Sequence, residues 1–197
     1  MVRLSEVCDV RSGYTARERL RVLEFGGGVP AIQLGDFGAD GEFPSRLTRY
    51  DVDQLPNRYF ISGGEVVFRS RGQVTAAMAV PTAMSEPVLV VSPLMVVRPR
   101  REALLPEYLA WAINQLDAQR RLGAAAQGTG LRMIPMAVLE DLEIAVPDLL
   151  TQRRIVELAA LARQEGRLLR QLAARREDLL SAILGEAAKA ADQKEVA

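Results

Sequence analysis

The sequence of 197 residues contains no histidine, a single cysteine, Cys8, and only two lysines. Without histidine the chain lacks the commonest general base and the commonest metal ligand of proteins, which excludes serine or cysteine hydrolysis with a histidine base. One cysteine permits no internal disulfide. The sequence also lacks an 18-residue apolar run and a signal peptide, so we expect a cytoplasmic protein that does not enter a membrane.

Motifs for nucleotide binding and methyl transfer are also missing from the sequence. The glycine run at residues 25–28 does not follow a strand-forming segment, and a proline stands where a helix would have to begin, so we interpret the run as a turn. The nearest groups of acidic residues, at 51–53 and 140–143, are typical of a turn and of the flank of a strand. We therefore expect no catalytic residue, no metal site and no cofactor, and we favour a binding protein over an enzyme.

Positive and negative charges balance, with 25 residues of each sign. Residues 1–150 carry 16 arginines against 18 acids, and neither part of the chain is typical of a non-specific nucleic-acid binder, which is usually strongly basic. All basic residues except Lys189 and Lys194 are arginines. Coding bias explains this as well as function does, although arginine pairs bidentately with guanine and phosphate. The segment 11–21, with four arginines and one acid, is either a loop against a phosphate backbone or a solvated surface loop.

Short β-rich segments separated by glycine and proline run through the first hundred residues. The pattern predicts a helical turn and strand at 2–10, a buried strand between two turns at 61–72, and strands at 31–34, 46–50, 74–80, 88–91, 94–98 and 142–146. Pro106 begins a predicted helix with Leu109, Ile113 and Leu116 on one face. A helical turn is predicted at 135–139. The fold class is thus α+β, with a mixed, strand-rich domain over residues 1–147.

A long helix without proline is predicted for residues 148–185, with Asp148 as its N-cap. Apolar residues recur along one face in steps of three and four. They are Ile155, Leu158, Ala162, Leu169, Leu172, Leu179 and Ile183. The helix, about 50 Å long, either folds back on its own domain or pairs with another helix, and its wide apolar face favours a partner. Residues 186–197 are predicted to be a disordered tail.

The segment 128–156 contains a Gly-Thr-Gly loop, a helical turn, a strand that ends in proline, and a helix that starts with Gln-Arg-Arg-Ile-Val. In this order and spacing it resembles the end of a target-recognition domain in the specificity (S) subunits of type I restriction–modification systems. Similar segments are the opening at 4–13, the proline and Gly-Asp strand at 29–36, the strand at 64–72, and the strand with a Pro-x-Tyr-Leu helix at 93–115. The resemblance covers about residues 2–184.

The sequence departs from the family pattern in three respects. The family commonly has Pro-Pro-Leu-x-Glu-Gln, whereas here Asp148 replaces the second proline and Thr151 replaces the glutamate. Glu65 stands where an aspartate is usual. A full specificity subunit resembles two such units in tandem, and this chain has one.

The resemblance implies a sequence-specific DNA-recognition subunit without chemistry of its own. Its globular domain reads one half of a split target in double-stranded DNA. Its helix sets the distance to the other half and binds the DNA methyltransferase (M) subunits, with restriction (R) subunits as further candidate partners. The rival interpretation is a protein-interaction adaptor that binds no DNA and dimerises through its C-terminal helix.

The candidate DNA contacts are polar residues in predicted loops and at strand ends, because arginine suits the edge of guanine and glutamine that of adenine. They are Arg17, Arg19, Arg69, Arg71, Gln73, Gln127, Thr129 and Arg132.

The missing second repeat predicts a homodimer in which the long helix forms an antiparallel coiled coil with a second copy. Glu165 and Arg176 interrupt the apolar stripe, and antiparallel pairing places the glutamate of one copy near the arginine of the other. Two identical readers predict a palindromic target interrupted by unspecified bases.

Overall fold

In the computed structural model the chain divides into a globular unit, Met1–Val156, and a helical unit, Glu157–Ala197. The structure describes all residues except 24–26, 38–41, 53, 73–74, 101–102, 129–130 and 196–197, and it describes residues 187–195 by their backbone alone. The glycine run at 25–28 and the acidic group at 51–53 therefore lie partly outside the described residues. Gly27 and Gly28 have φ angles of 70° and 64°, values that glycine adopts readily in turns.

Most strands and helices lie in the predicted segments, whereas β3 and α3 were not predicted as separate elements. The strands are β1 (Val2–Arg3), β2 (Cys8–Ser12), β3 (Arg21–Val22), β4 (Val29–Ile32), β5 (Arg49–Asp51), β6 (Phe60–Ile61), β7 (Val66–Arg69), β8 (Ala76–Ala79), β9 (Val88–Val90), β10 (Leu94–Pro99) and β11 (Glu143–Ile144). The helices are α1 (Leu4–Val7), α2 (Pro106–Ile113), α3 (Leu116–Ala124), α4 (Met136–Glu140) and α5 (Leu149–Glu195). The predicted class, a mixed strand-rich domain followed by one long helix, is confirmed.

Two larger sheets make up the body of the globular unit. One has the order β2-β10-β7-β8 with antiparallel neighbours, and the other has the order β3-β5-β4-β9-β6 with a parallel pair, β4 and β9. A small pair, β1 and β11, joins the start of the chain to the segment before α5. Strand β9 is followed closely by β10, so the chain passes from one large sheet to the other through residues 91–93.

The four-stranded sheet is buried on both faces. Successive residues of a strand point to opposite sides of the sheet, and in β10 both sets of residues are buried. Met95 and Val97 of β10 belong to a cluster that includes α2. Leu94 and Val96 belong to a second cluster, which includes Ile32 of the five-stranded sheet. This explains why β10 reads as an almost continuous apolar run.

Helix α2 ends earlier than the sequence predicts. The side chain of Asn114 donates to the carbonyl of Ala77 and accepts from its N–H, both at 2.8 Å, and a new helix begins at Leu116. Leu116, predicted on the buried face, is instead 65% exposed, whereas Leu109 and Ile113 are fully buried as predicted. A hydrogen-bonding polar residue thus overrides the apolar periodicity at this point.

The N-cap of α5 is confirmed. The backbone N–H of Thr151 donates to the carboxylate of Asp148 at 3.0 Å, and the hydroxyl of Thr151 donates to the same carboxylate at 2.8 Å. These bonds hold the pKa of Asp148 below its ordinary value of 3.8. The family's glutamate is therefore replaced here by a threonine that hydrogen-bonds the capping residue.

Gln152 attaches the start of α5 to the rest of the globular unit. Its side chain is fully buried and makes three hydrogen bonds. It accepts from the N–H of Leu105 at 2.9 Å and donates to the carbonyls of Ala103 and Pro147 at 2.8 and 2.7 Å. The glutamine of the Gln-Arg-Arg-Ile-Val segment thus satisfies backbone groups in the segment before α2 and in the segment before α5.

In the helical unit, the described leucine and isoleucine side chains are between 54% and 67% exposed. The predicted stripe is therefore uncovered in the single chain from Leu158 onward. Ile155 is an exception, because it is half-buried and packs on the core of the globular unit. The structure also continues α5 to Glu195, past the end predicted at residue 185, where alanine, glutamate and lysine favour helix over a disordered tail.

Candidate nucleic-acid interface

Several loops leave the four-stranded sheet at the same edge, the one formed by the ends of β2 and β7 and the start of β10. Arg69, the last residue of β7, pairs with Leu94, the first residue of β10, and Ser12 at the end of β2 pairs with Met95. The chain segments that follow Ser12 and Arg69 therefore emerge side by side with the segment that precedes Leu94. These segments carry four of the predicted DNA contacts, Arg17, Arg19, Arg69 and Arg71.

A distant segment joins this edge and brings two further predicted residues with it. Met133 forms bridges to both Arg71 and Gln127, and the N–H of Gly72 donates to the carbonyl of Arg132 at 3.1 Å. Arg71, Gln127 and Arg132 are all exposed, and Arg69 is half-buried. Arg69, Arg71, Gln127 and Arg132, hereafter the arginine edge, are thus brought together by backbone pairing between two segments far apart in sequence.

Ser70 fixes the turn after β7 through hydrogen bonds to two other segments. This buried side chain donates to the carbonyl of Pro93, and the backbone carbonyl of Ser70 accepts from the N–H of Ile134 at 2.8 Å. Gly72 has a φ of 126°, and a Cβ at this position would lie 2.9 Å from a guanidinium nitrogen of Arg69. Glycine therefore allows Arg69 to fold over the turn, where its Nε donates to the carbonyl of Arg71 at 3.3 Å.

Arg17 and Arg19 form a separate group. Both are exposed in the loop between β2 and β3. The start of that loop is fixed, because Tyr14 donates its N–H to Val90, accepts from the N–H of Ser92, and packs edge-on against Tyr59. The loop thus begins at the same edge as Arg69. Gln73 and Thr129, the other predicted contacts, lie outside the described residues.

The arginines of the arginine edge form no ion pair with any acidic residue that the structure describes. Among the described residues, ion pairs engage other arginines, such as Arg49 with Glu86 and Arg100 with Asp9, but none engages Arg69, Arg71 or Arg132. The guanidinium of Arg132 donates to the carbonyl of Gly123 at 2.6 Å. Charged donors without an anionic partner are what a phosphate or the acceptor edge of a base requires.

An open depression lies beside these arginines and was not predicted from the sequence. Its described lining consists of Leu34, Arg69, Arg71, Gly72, Pro93 and Leu131, which include two cations and no acid. Leu34 and Pro93 come from segments that carry no sequence signal for DNA contact. In the sequence, Leu131 stands directly before Arg132, a predicted DNA contact, and this position could have indicated that Leu131 lies near the interface.

A larger depression elsewhere on the globular unit has cations that are already engaged. Its lining includes Arg11, Arg58 and Arg98. Arg98 is paired with Glu65, Arg11 with Asp9, and the guanidinium of Arg58 lies 4.8 Å from the ring centre of Tyr59. The charges of Arg11 and Arg98 are therefore partly neutralised by acidic partners, in contrast to those of Arg69, Arg71 and Arg132.

The described residues include no cluster of three or more cysteine, aspartate or glutamate side chains arranged to hold a metal ion. Burial raises the pKa of the Cys8 thiol to about 12, so this cysteine is a neutral core residue and not a nucleophile. Among the helices that the structure describes, none has the length and apolar character needed to cross a membrane.

Comparison with known proteins gives one family and one fold. Residues 1–160 match the family model of the type I restriction modification DNA specificity domain. The fold is similar to a chain in a structural study of the assembly and conformational transition of the type I R-M system. The two share 24% identity with a TM-score of 0.68, over 92% of this chain and 42% of that one. No curated protein sequence matches.

Two further solved structures have the same fold. One is the HsdS subunit from Thermoanaerobacter tengcongensis, at 23% identity and a TM-score of 0.58, over 86% of this chain and 38% of that one. The other is the type I restriction–modification S subunit from M. genitalium, at 15% identity and a TM-score of 0.54, over 81% and 37%. The chain thus spans about two-fifths of the length of these solved relatives.

Proposed function

Because the chain belongs to the family of type I restriction modification DNA specificity domains, we propose that it is the sequence-specific DNA-recognition subunit of a type I restriction–modification complex. In this role it directs methyltransferase subunits, and with them restriction subunits, to a split target in chromosomal DNA in the cytoplasm. The globular unit reads one half of the target. The alternative of a protein-interaction adaptor is not favoured, because the family match covers the globular domain itself.

The observation that carries the proposal is the arginine edge. Arg69, Arg71 and Arg132 have no acidic partner among the described residues, and pairing of Met133 with Arg71 and Gln127 gathers them at one sheet edge. A few arginines and an amide can read bases in the major groove while partner subunits hold the phosphate backbone. This division of labour is compatible with a chain of zero net charge.

The test is to map DNA methylation in cells that express the chain together with its methyltransferase subunit. We expect one modified motif with two defined halves separated by unspecified bases, lost when the gene for this chain is deleted. The purified complex should bind that motif more tightly than a scrambled duplex at the same salt concentration. A methylation pattern that does not change on deletion contradicts the proposal.

The chain itself is proposed to be non-catalytic. It lacks histidine, and its described residues gather no carboxylate cluster for a metal ion. The purified chain should therefore show no nuclease, methyltransferase or ATPase turnover with magnesium, ATP and a methyl donor. Activity that co-purifies with the chain through successive columns would refute this part of the proposal.

We further propose that the protein works as a homodimer through the exposed face of the helical unit. The leucines and isoleucine of this face are more than half exposed in the single chain, which is costly for so many large apolar side chains. The chain spans about two-fifths of the length of the solved relatives, and a second copy would bring a second unit of the same kind. A second copy also presents an identical face, as a two-fold dimer requires.

The spacing of the stripe favours one antiparallel register. With the two-fold axis between Leu169 and Leu172, the glutamate at position 165 of one copy lies opposite Arg176 of the other, and the small Ala162 lies opposite Leu179. The polar residues of the stripe are then matched in charge, and a small residue is matched with a large one. A parallel dimer would instead place Glu165 opposite its own copy.

Charge reversal tests this register. Glu165→Arg and Arg176→Glu should each weaken the dimer, because each places like charges opposite one another twice. The double variant, E165R with R176E, should restore association. Sedimentation or light scattering at tens of micromolar measures the mass. A monomeric wild type contradicts the homodimer, and a double variant no better than the single variants contradicts the antiparallel register.

The dimer also predicts the form of the DNA target. Two identical readers related by a two-fold axis require two identical half-sites in inverted orientation. Shortening the helix by one heptad on each side of the axis should reduce the number of unspecified bases and leave the half-sites unchanged. A motif with two unrelated halves contradicts this prediction.

A further inference from the structure

Leu131 is an exposed apolar residue beside two arginines of the arginine edge. Its side chain is 63% exposed and lies next to Arg132 in sequence, and Met133, two residues on, is 42% exposed. A single exposed leucine needs no explanation. This one, however, forms a wall of the depression that Arg69 and Arg71 also line.

The segment that carries Leu131 is held in place by hydrogen bonds. Gln127 and Met133 exchange two backbone hydrogen bonds of 2.9 Å, which close the loop at its base. The N–H of Gly72 and the side chain of Arg132 anchor its second half to the neighbouring turn and to Gly123. Gly128 has a φ of 108°, and a Cβ there would approach the carbonyl of Leu131 to 3.2 Å. The described neighbours of Leu131 at Gln127, Arg132 and Met133 are therefore held by hydrogen bonds.

The depression combines two kinds of chemistry. Leu34, Pro93 and Leu131 give it an apolar part, and Arg69 and Arg71 give it charged donors. In the major groove of DNA, an apolar contact selects the 5-methyl group of thymine, and arginine selects the paired acceptors of guanine. Leucine cannot hydrogen-bond a base edge or a phosphate, so its contribution must come from an apolar contact.

We propose that Leu131 is a specificity-determining residue that contacts the 5-methyl group of a thymine in the half-site, beside the base read by the arginine edge. The inference rests on the proposed function. It predicts part of the target sequence: the half-site contains at least one A·T pair, and the methyl group of its thymine contributes to binding.

The experiment uses the complex of the full chain with its methyltransferase subunit and the mapped target. Each thymine of the half-site is replaced in turn by deoxyuridine, which removes only the methyl group. At one position the affinity should fall about three- to fivefold, the effect of one buried methyl group. Leu131→Ala should bind the unmodified target more weakly and lose the difference between thymine and deoxyuridine. Leu131→Met, which keeps an apolar contact, should retain part of it.

Leu116→Ala is the matched control. Leu116 is 65% exposed in the same unit but lies at the start of α3, away from the depression. It should leave both affinity and thymine preference unchanged. Absence of sequence-specific DNA binding overturns the proposed function and this inference with it. Specific binding to a half-site in which no thymine responds to deoxyuridine, or a Leu131→Ala complex that still prefers thymine, overturns the inference alone.

Discussion

The two units of this chain differ in how far their leucines are exposed. In the globular unit, leucines such as Leu4, Leu94 and Leu109 are fully buried. In the helical unit, Leu169 and Leu172 are 59% and 57% exposed, although they follow a pattern as regular as that of α2. The globular unit completes its core within the chain. The helical unit leaves its leucines and isoleucine exposed in the single chain, which is why we propose that this face pairs with a second copy.

Replacing one leucine in each unit should give the largest effect and the clearest contrast. Leu109→Ala in α2 should lower the free energy of unfolding by about 2–5 kcal/mol, because it leaves a cavity. Leu169→Ala in α5 should change the stability of the dilute monomer by less than about 0.5 kcal/mol. It should instead weaken self-association. Urea unfolding at low concentration and light scattering at high concentration measure the two effects. Equal destabilisation at low concentration would mean that the chain covers this helical face by itself.

Removing the side chain of Gln152 tests how firmly the start of α5 belongs to the globular unit. Gln152→Ala should cost about 1–3 kcal/mol in unfolding, because it leaves buried backbone groups of Ala103, Leu105 and Pro147 without partners. The exposed Arg154, two residues on, is the control and should be neutral when changed to alanine. A Gln152 variant as stable as the Arg154 variant would show that the attachment depends on apolar packing alone.

Within the globular unit, the arginine edge should behave unlike the core. Arg69→Ala and Arg71→Ala should each weaken specific DNA binding by about 1–3 kcal/mol and relax the preference at one base, without lowering the melting temperature. Arg120→Ala, an exposed arginine on α3, serves as the control. Binding isotherms and thermal melts of the same preparations distinguish the outcomes. A lower melting temperature with unchanged DNA affinity would make Arg69 and Arg71 structural residues.

The smallest effect concerns the N-cap at Asp148 and depends on pH. Its hydrogen bonds from Thr151 hold the pKa below 3.8, so the ionised carboxylate is favoured in the folded chain. The resulting stability is present above pH 3.8 and is lost as the pH falls through the lowered pKa. Asp148→Asn should therefore be slightly less stable than wild type near neutral pH and equal to it in acid. Urea unfolding followed by circular dichroism at several pH values tests this, and a constant difference would contradict it.

Much of the fold was predictable from local signals. The proline that begins α2, the N-cap of α5 and the glycines and prolines between strands act over a few residues. The structure has a helix or strand at most of the places that these signals predict. The failures have physical causes in tertiary contacts. Asn114 ends α2 through its bonds to Ala77, which lies 37 positions away in sequence, and this exposes Leu116. Ile155 packs on the globular core because Gln152 binds the start of α5 to it.

The candidate interface was predictable in residue type but not in arrangement. Arginine and glutamine at loop positions indicated Arg71, Gln127 and Arg132 one by one, but not that they belong together. Leu34 and Pro93 carried no signal, since their role depends on which segments meet at the edge.

The sequence by itself determined most of the secondary-structure elements and the long helix with its apolar stripe, because periodicity and capping are local properties. The tertiary structure alone decided which arginines share an edge and which apolar residues remain uncovered. The bridge between Arg71 and Met133 joins positions 62 residues apart. Pairing over such a distance depends on the packing of the whole globular unit, and no short stretch of sequence contains that information.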